Sequence, residues 1–278
     1  MTIEAKVIAH SRVDHAPDLI TLQLRYPRMI HSEFMTHRVF SRNASSSRAV
    51  PVQRMIQDVI DDPAMPVAWG SNKPGMQAGE DLSEKDAATA KAQWLHACEE
   101  AVEWAKALAK TGCHKQIVNR ILEPFAHISV VVTATDWDNF FDLRCHPDAD
   151  PTMRALAEAM RDAITDSTPD DSVRWHLPYL QPSDWEWAWT EMQTGGEGAN
   201  FDTLAMISAA RCARVSYLNH DGSKADIEKD LTLAKRLLES KHMSPFEHQA
   251  RVTGDDGTAL WGNFNGWDQH RKMIEARA

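Results

Sequence analysis

Near the N-terminus, neighbouring segments alternate apolar and polar residues with a strand period, while later stretches repeat with a helix period. That combination commits the chain to a mixed α/β architecture, with a central antiparallel or mixed sheet flanked by helices. Thr2 to Val13 and Leu19 to Arg25 read as strands around the turn-forming run Asp14-His15-Ala16-Pro17-Asp18. In the second, Leu22 and Leu24 alternate with Gln23 and Arg25, as in a strand with one buried face. Pro27 suits the first turn of a helix reaching about Arg38. Ser41 to Ser47 is too polar and serine-rich for a core helix, and is expected as a loop facing a ligand.

Further along, Val52 to Ile60 reads as a short helix, and residues 62–81, rich in Pro, Gly and Asn, as a surface excursion. From Ser83, with Asp86 close behind, a long helix is expected to about Lys110. Trp94, Ala97, Cys98, Ala101, Trp104 and Leu108 form its apolar stripe, and Thr111-Gly112 ends it. Helices follow at Lys115 to Leu122, Thr152 to Ile164, Thr203 to Arg211 and Asp226 to Ser240. Ser129 to Ala134 is a β-branched run that suits either a strand or a buried helical turn, and Phe246 to Val252 reads as a strand. Trp175 to Thr190 carries four tryptophans and two prolines and resists assignment; Gly195-Gly196-Glu197-Gly198 looks like a connector. No repeat divides the chain, so one intertwined domain over residues 1–278 is the simplest organisation.

Composition excludes several functions. With 43% hydrophobic and 25% charged residues, the chain reads as an ordinary globular protein. A net charge of -10 opposes binding to a nucleic acid polymer, yet a few converging arginines still hold a small phosphate. Cys98, Cys113, Cys145 and Cys212 form no CxxC pair, which argues against structural zinc and fits a reducing compartment. The first twelve residues lack the apolar run of a signal peptide and no window suits a membrane span, so a cytoplasmic location is expected.

Three blocks carry chemistry. The first, Thr36 to Arg48, packs Arg38, Arg42, Arg48 and His37 among hydroxyl and amide side chains. Arginine forks pair with phosphate oxygens at two points, so the block suits a phosphorylated ligand; a solvated polar loop with a helix cap is the competing account. The second, Asp136 to His146, sets Asn139 and Arg144 among aromatics. Arg144 needs a partner, either a ligand or one of Asp136, Asp138 and Asp142. Cys145, between Arg144 and His146, is read as packing rather than chemistry. The third runs from Arg211-Cys212-Ala213-Arg214-Val215-Ser216-Tyr217 to His242-Met243-Ser244-Pro245-Phe246-Glu247-His248. Its His-x5-His spacing hints at a metal, but Pro245 keeps the two imidazoles off one helix face, so no metal is expected.

Together these blocks resemble the flavin-dependent thymidylate synthases. The family signature is Arg-His-Arg, seven residues, a serine, and an arginine two places later; His37, Arg38, Ser46 and Arg48 fit it, with Ser41 and Asn43 at common Ser and Asn positions. Asn139, Phe140, Leu143 and Arg144 resemble the Asn-Phe-x-x-Leu-Arg stretch, and Arg120 and Pro124 the Ala-Arg-Ile-x-x-Pro helix end. The third block is similar to the Ala-Arg-Val-Ser and Pro-Phe-Glu-His segments, which precede the signature in the family but here follow it. The resemblance therefore implies a circularly permuted fold. The family's C-terminal part falls at about 20–170, a bridge at about 171–206 and its N-terminal part at about 207–252. Thr36, Ala44 and Ala49 replace the family's arginine, glutamate and tyrosine; Glu33 stands for a nucleotide-binding glutamine, and Asp148 lies near a flavin-contacting histidine position.

What the resemblance implies is reductive methylation of a deoxypyrimidine monophosphate at carbon 5, deoxyuridylate to thymidylate. Methylenetetrahydrofolate would be the carbon donor, NADPH the reductant and FAD the bound cofactor. His37, Arg38, Ser41, Asn43, Asn139, Ser244 and Glu247 would then contact FAD. Glu33, Ser46, Ser47, Arg48, Arg120 and Arg144 would hold the nucleotide, with Arg144, Ser46 and His242 closest to the chemistry. The resemblance also implies a homotetramer with shared active sites. The base-site substitutions keep two alternatives open: a deoxycytidylate or deoxyuridylate (hydroxy)methylase of the same family, and a catalytically silent nucleotide binder. A metal hydrolase using His242, Glu247 and His248 is the remaining rival.

Overall fold

A computed structural model describes residues 3–172, 174–193, 200–216, 226–254 and 259–277. Strands β1 (Glu4–Val13) and β2 (Ala16–Pro27) form a hairpin, followed by a short 3-10 turn, helix α1 (His31–Phe34) and strand β3 (Ser41–Ala44). Helices α2 (Val52–Asp61), α3 (Glu84–Lys110) and α4 (Lys115–Leu122) precede strand β4 (His127–Ala134). Next come α5 (Asp138–Arg144), α6 (Pro151–Thr165), β5 (Trp175–His176) and α7 (Pro182–Gln193). The chain continues through α8 (Phe201–Ala213), α9 (Ile227–Glu239), β6 (Ala250–Val252), β7 (Trp267–Gln269) and α10 (His270–Arg277).

The fold is a mixed α/β architecture built on antiparallel sheets. One sheet has the order β1-β2-β4-β3, the other β5-β6-β7. Alternation in β2 and β4 sends Leu22, Leu24, Tyr26, Val130 and Val132 into a core shared with Phe34, Phe140, Met153 and Met160 of the covering helices. The opposite face carries Thr21, Thr133 and Ser41 side by side, in register Thr21↔Thr133↔Ser41. There the C-terminal half packs through hydrogen bonds. Ser11 Oγ lies 2.9 Å from His176 Nδ1, and Thr21 Oγ1 lies 2.7 Å from both His176 Nε2 and Thr133 Oγ1. Thr133 Oγ1 is then 2.8 Å from His248 Nδ1, and all five residues are buried. Helices α2, α3 and α4 form a separate apolar cluster around Ile56, Val102 and Leu122.

Three local expectations are corrected. Ser41–Ala44 is not a loop: it is the edge strand β3, paired with Val130 to Thr133 of β4. Ser41 and Asn43 face the second layer, so serine here marks a hydrogen-bonded interface, while Arg42 points to the opposite face, toward α1. Pro27 ends β2 opposite His127 instead of opening a helix, and helix geometry begins only beyond it. Phe246 to Val252 is likewise only partly strand, because Ser244–Glu247 forms a 3-10 turn before β6. Ser129 to Ala134 is strand, and the tryptophan-rich segment divides into β5 and α7. The expected connector at 195–198 lies outside the described residues.

Candidate active site

The C-terminal end of α5 brings Arg144 back against the turn that follows α1. Its Nε donates to His37 Nε2 at 3.0 Å, its Nη1 lies 3.5 Å from Glu33 Oε2, and its Nη2 lies 3.4 Å from Thr36 Oγ1. The nearby carboxylates Asp136, Asp138 and Asp142 are exposed, so Arg144's partners come from the first block. Accepting at Nε2 fixes His37 as a neutral imidazole carrying its proton on Nδ1. Burial, then Arg144 and Arg42, holds its pKa below the ordinary histidine value. The ring sits edge-on to Phe140, with centroids 4.8 Å apart. Arg42 fixes the same turn from within, donating from Nη1 to the carbonyls of Met35 and His37 at 3.0 and 2.9 Å.

The third block closes on the first. Ser244 Oγ donates to Asn43 Oδ1 at 3.1 Å, and Asn43 Nδ2 donates to the Cys212 carbonyl at 2.8 Å. Ser41 Oγ donates to Asn263 Oδ1 at 3.1 Å, and Glu247 pairs with Arg271. Arg211 and Arg214 are engaged internally with buried Asp230, and Arg211 also reaches Asp184 at 2.5 and 2.8 Å. His242 is exposed, with Ser240 Oγ 2.8 Å from its Nδ1. Asn139 is exposed on α5, so it is not embedded among aromatics as the sequence suggested. Neither residue has a hydrogen bond to the Arg144 cluster among the described residues. Asp148 is exposed 3.7 Å from His146, and burial pushes the Cys145 thiol pKa up. Among the described residues no three His, Cys, Asp or Glu side chains converge as metal ligands; His248 is buried beneath Thr133.

Helix α4 shapes the segment after β3. Buried Asn119 donates from Nδ2 to the carbonyls of Ser47 and Val50 at 2.8 and 3.0 Å, and Ser47 Oγ donates to Glu123 Oε1 at 2.6 Å. Arg48 and Arg120 therefore sit one residue either side of the Asn119–Ser47 contact. Both are exposed, as is Arg38, and none of the three has an ion pair or hydrogen bond among the described residues. Asn119 and Glu123 were not singled out from sequence, and Arg42 was named only as one of the first block's arginines. Asn119-Arg120 offered the only hint, since an asparagine on the inner face of a short helix needs a backbone partner. Replacing Asn119 by alanine leaves two carbonyls without their donor and should cost about 2 kcal/mol, read from urea unfolding.

Residues 9–170 match the family described as thymidylate synthase complementing protein, and this chain belongs to that family. No curated protein sequence matches it. Among solved structures it is similar to a UMP/dUMP methylase PolB from Streptomyces cacaoi bound with 5-Br dUMP. That likeness has 17% identity and a TM-score of 0.49, covering 59% of this chain and 90% of that one. It is also similar to Thymidylate Synthase X (ThyX) from Helicobacter pylori with FAD and dUMP, with 12% identity and a TM-score of 0.43, covering 58% and 93%. Among the described residues no helix is long and apolar enough to cross a membrane.

Proposed function

We propose that this protein methylates a deoxypyrimidine monophosphate at carbon 5, converting deoxyuridylate to thymidylate with bound FAD, methylenetetrahydrofolate and NADPH. Family membership supports the reaction class. The observation that carries the reading to a site is the closure of three sequence-distant blocks by Arg144–His37 and Ser244–Asn43. The guanidinium groups of Arg38, Arg48 and Arg120, which have no ion pair or hydrogen bond among the described residues, fit the phosphates of a nucleotide and of a dinucleotide cofactor. FAD, when bound, supplies hydride chemistry that no side chain can. The chain's residues bind and orient: Arg38, Asn43, Ser244 and Glu247 toward FAD, and Ser46, Arg48 and Arg120 toward the nucleotide. Arg144 faces the base, where its fixed positive charge stabilises an oxygen gaining negative charge. His37, held neutral, keeps Arg144 aimed without competing for its charge.

The reading includes a single circularly permuted domain. Contacts between distant parts support it: Ser244 reaches Asn43, and Trp267 Nε1 donates to the Pro17 carbonyl at 2.9 Å. It also includes a homotetramer with shared sites. Met35, Val39 and Leu143 expose apolar side chains beside the Arg144 cluster, a surface suited to burial by a second subunit. The test is a competition assay read by mass spectrometry, with FAD, NADPH, methylenetetrahydrofolate and equal deoxyuridylate and deoxycytidylate. A gain of one methyl by deoxyuridylate alone is the expected result. A methyl or hydroxymethyl on deoxycytidylate moves the protein to modified-base synthesis, and flavin binding without turnover makes it a silent binder.

A further inference from the structure

The last described segment, residues 259–277, lies beyond the family match and beyond the three blocks, yet it touches two of them at once. From β7, Gln269 Nε2 lies 2.7 Å from Asn263 Oδ1, 3.2 Å from Ser41 Oγ and 3.3 Å from the Glu247 carbonyl. Asn263 accepts from Ser41 Oγ at 3.1 Å and donates from Nδ2 to the Val39 carbonyl at 2.7 Å. From the first turn of α10, Arg271 pairs with the Glu247 carboxylate and, at 2.7 Å, with Glu275. One short run thus grips Val39 and Ser41 of the first block and both the backbone and side chain of Glu247 in the third.

The local chain is shaped for this grip. Gly262 has φ +61, and a Cβ there would stand 2.6 Å from Gln269 Oε1, so the turn closes onto the glutamine only with glycine. Gln269 is 2% exposed, which makes its amide part of a fixed network. Arg271 is one-third exposed, which leaves Glu247 at the surface of that network.

We propose that Asn263, Gln269 and Arg271 form a positioning clamp that holds β3 and Glu247 in the geometry needed to bind the flavin. The proposal rests on the function proposed above. The clamp residues act through their neighbours: Gln269 and Asn263 set the position of Ser41, and Arg271 holds the Glu247 carboxylate in place.

The test compares the full-length protein with Arg271→Ala, Arg271→Lys and Asn263→Ala. Arg271 is partly exposed, so its variants keep the core intact. Two readouts are taken: amide hydrogen exchange over residues 39–48 and 244–249 without ligand, and FAD titration followed by the flavin absorption band. Arg271→Ala and Asn263→Ala should speed exchange in both segments. They should weaken FAD binding about tenfold, the loss typical of one hydrogen bond, and shift the flavin band. Arg271→Lys should restore most of the affinity. Unchanged exchange overturns the clamp whatever the ligand, and faster exchange with unchanged FAD affinity overturns its role in positioning. A wild-type protein that binds no FAD overturns the flavin reading itself, and the clamp's purpose with it, a result visible before any variant is compared.

Discussion

Replacing Arg144 by alanine should lower kcat/KM for the nucleotide by about 10²–10³-fold, the range for removing one preorganised charge-stabilising donor. FAD affinity should change by only a few fold, because of Arg144's contacts His37, Glu33 and Thr36 only His37 is among the expected cofactor residues, and the Asn43–Ser244 pair is untouched. A second signature separates this from simple loss of packing. Arg144 is one of two cations that, together with burial, hold the His37 pKa down. Without it that pKa rises, and residual activity should fall away at a higher pH on the acid side. Arg144→Lys restores a charge but not the fork, so it should recover the acid limb and only part of kcat. A variant with kcat/KM within threefold of wild type and an unmoved acid limb removes Arg144 from the chemistry.

Helix positions were legible in the sequence because their signals are local. Ser83 caps α3 through the Asp86 amide, and Asp150 with Pro151 caps α6. Of the expected apolar stripe, Trp94, Cys98, Ala101 and Leu108 pack on α3's neighbours together with Val102 and Ala105, while Ala97 and Trp104 lie on the exposed side. The site was legible as an inventory of blocks and not as an arrangement. Arg144 finds Glu33 and His37 more than a hundred positions away, while the nearby aspartates stay in water. Ser41 to Ser47 looked like a loop because strand β3 takes its partner from β4, far along the chain, and its Ser41 meets Asn263 and Gln269. The clamp itself left no periodic trace, since three-residue strands are too short to show one. The polar-aromatic run from Gly262 to Arg271 was its available sign.

Stability should fall steeply as pH drops from 7.5 to 5.5, well before the carboxylates protonate. His176 and His248 are buried between the two layers and hydrogen-bonded to hydroxyl groups, and burial lowers the pKa of each to about 3. His248 and His10 push His176 in the same direction. In the unfolded chain both return to roughly 6.5, so between these values the unfolded state binds the extra protons. Their contribution is therefore complete above the unfolded pKa and is lost as pH falls below it. At pH 5.5 each histidine costs about 1.4 kcal/mol, and the pair roughly 3 kcal/mol, a large share of a typical domain's stability. His31, His127 and His270, each lowered to about 4, act with the same sign. Urea unfolding at the two pH values should show the midpoint falling with little change in m. His248→Gln should be less stable at pH 7.5 through its lost contact with Thr133, yet its pH slope should be shallower by about 1.4 kcal/mol per unit. Equal midpoints at both pH values for the wild type would mean that the imidazoles take up protons within the fold, and that water enters between the two layers.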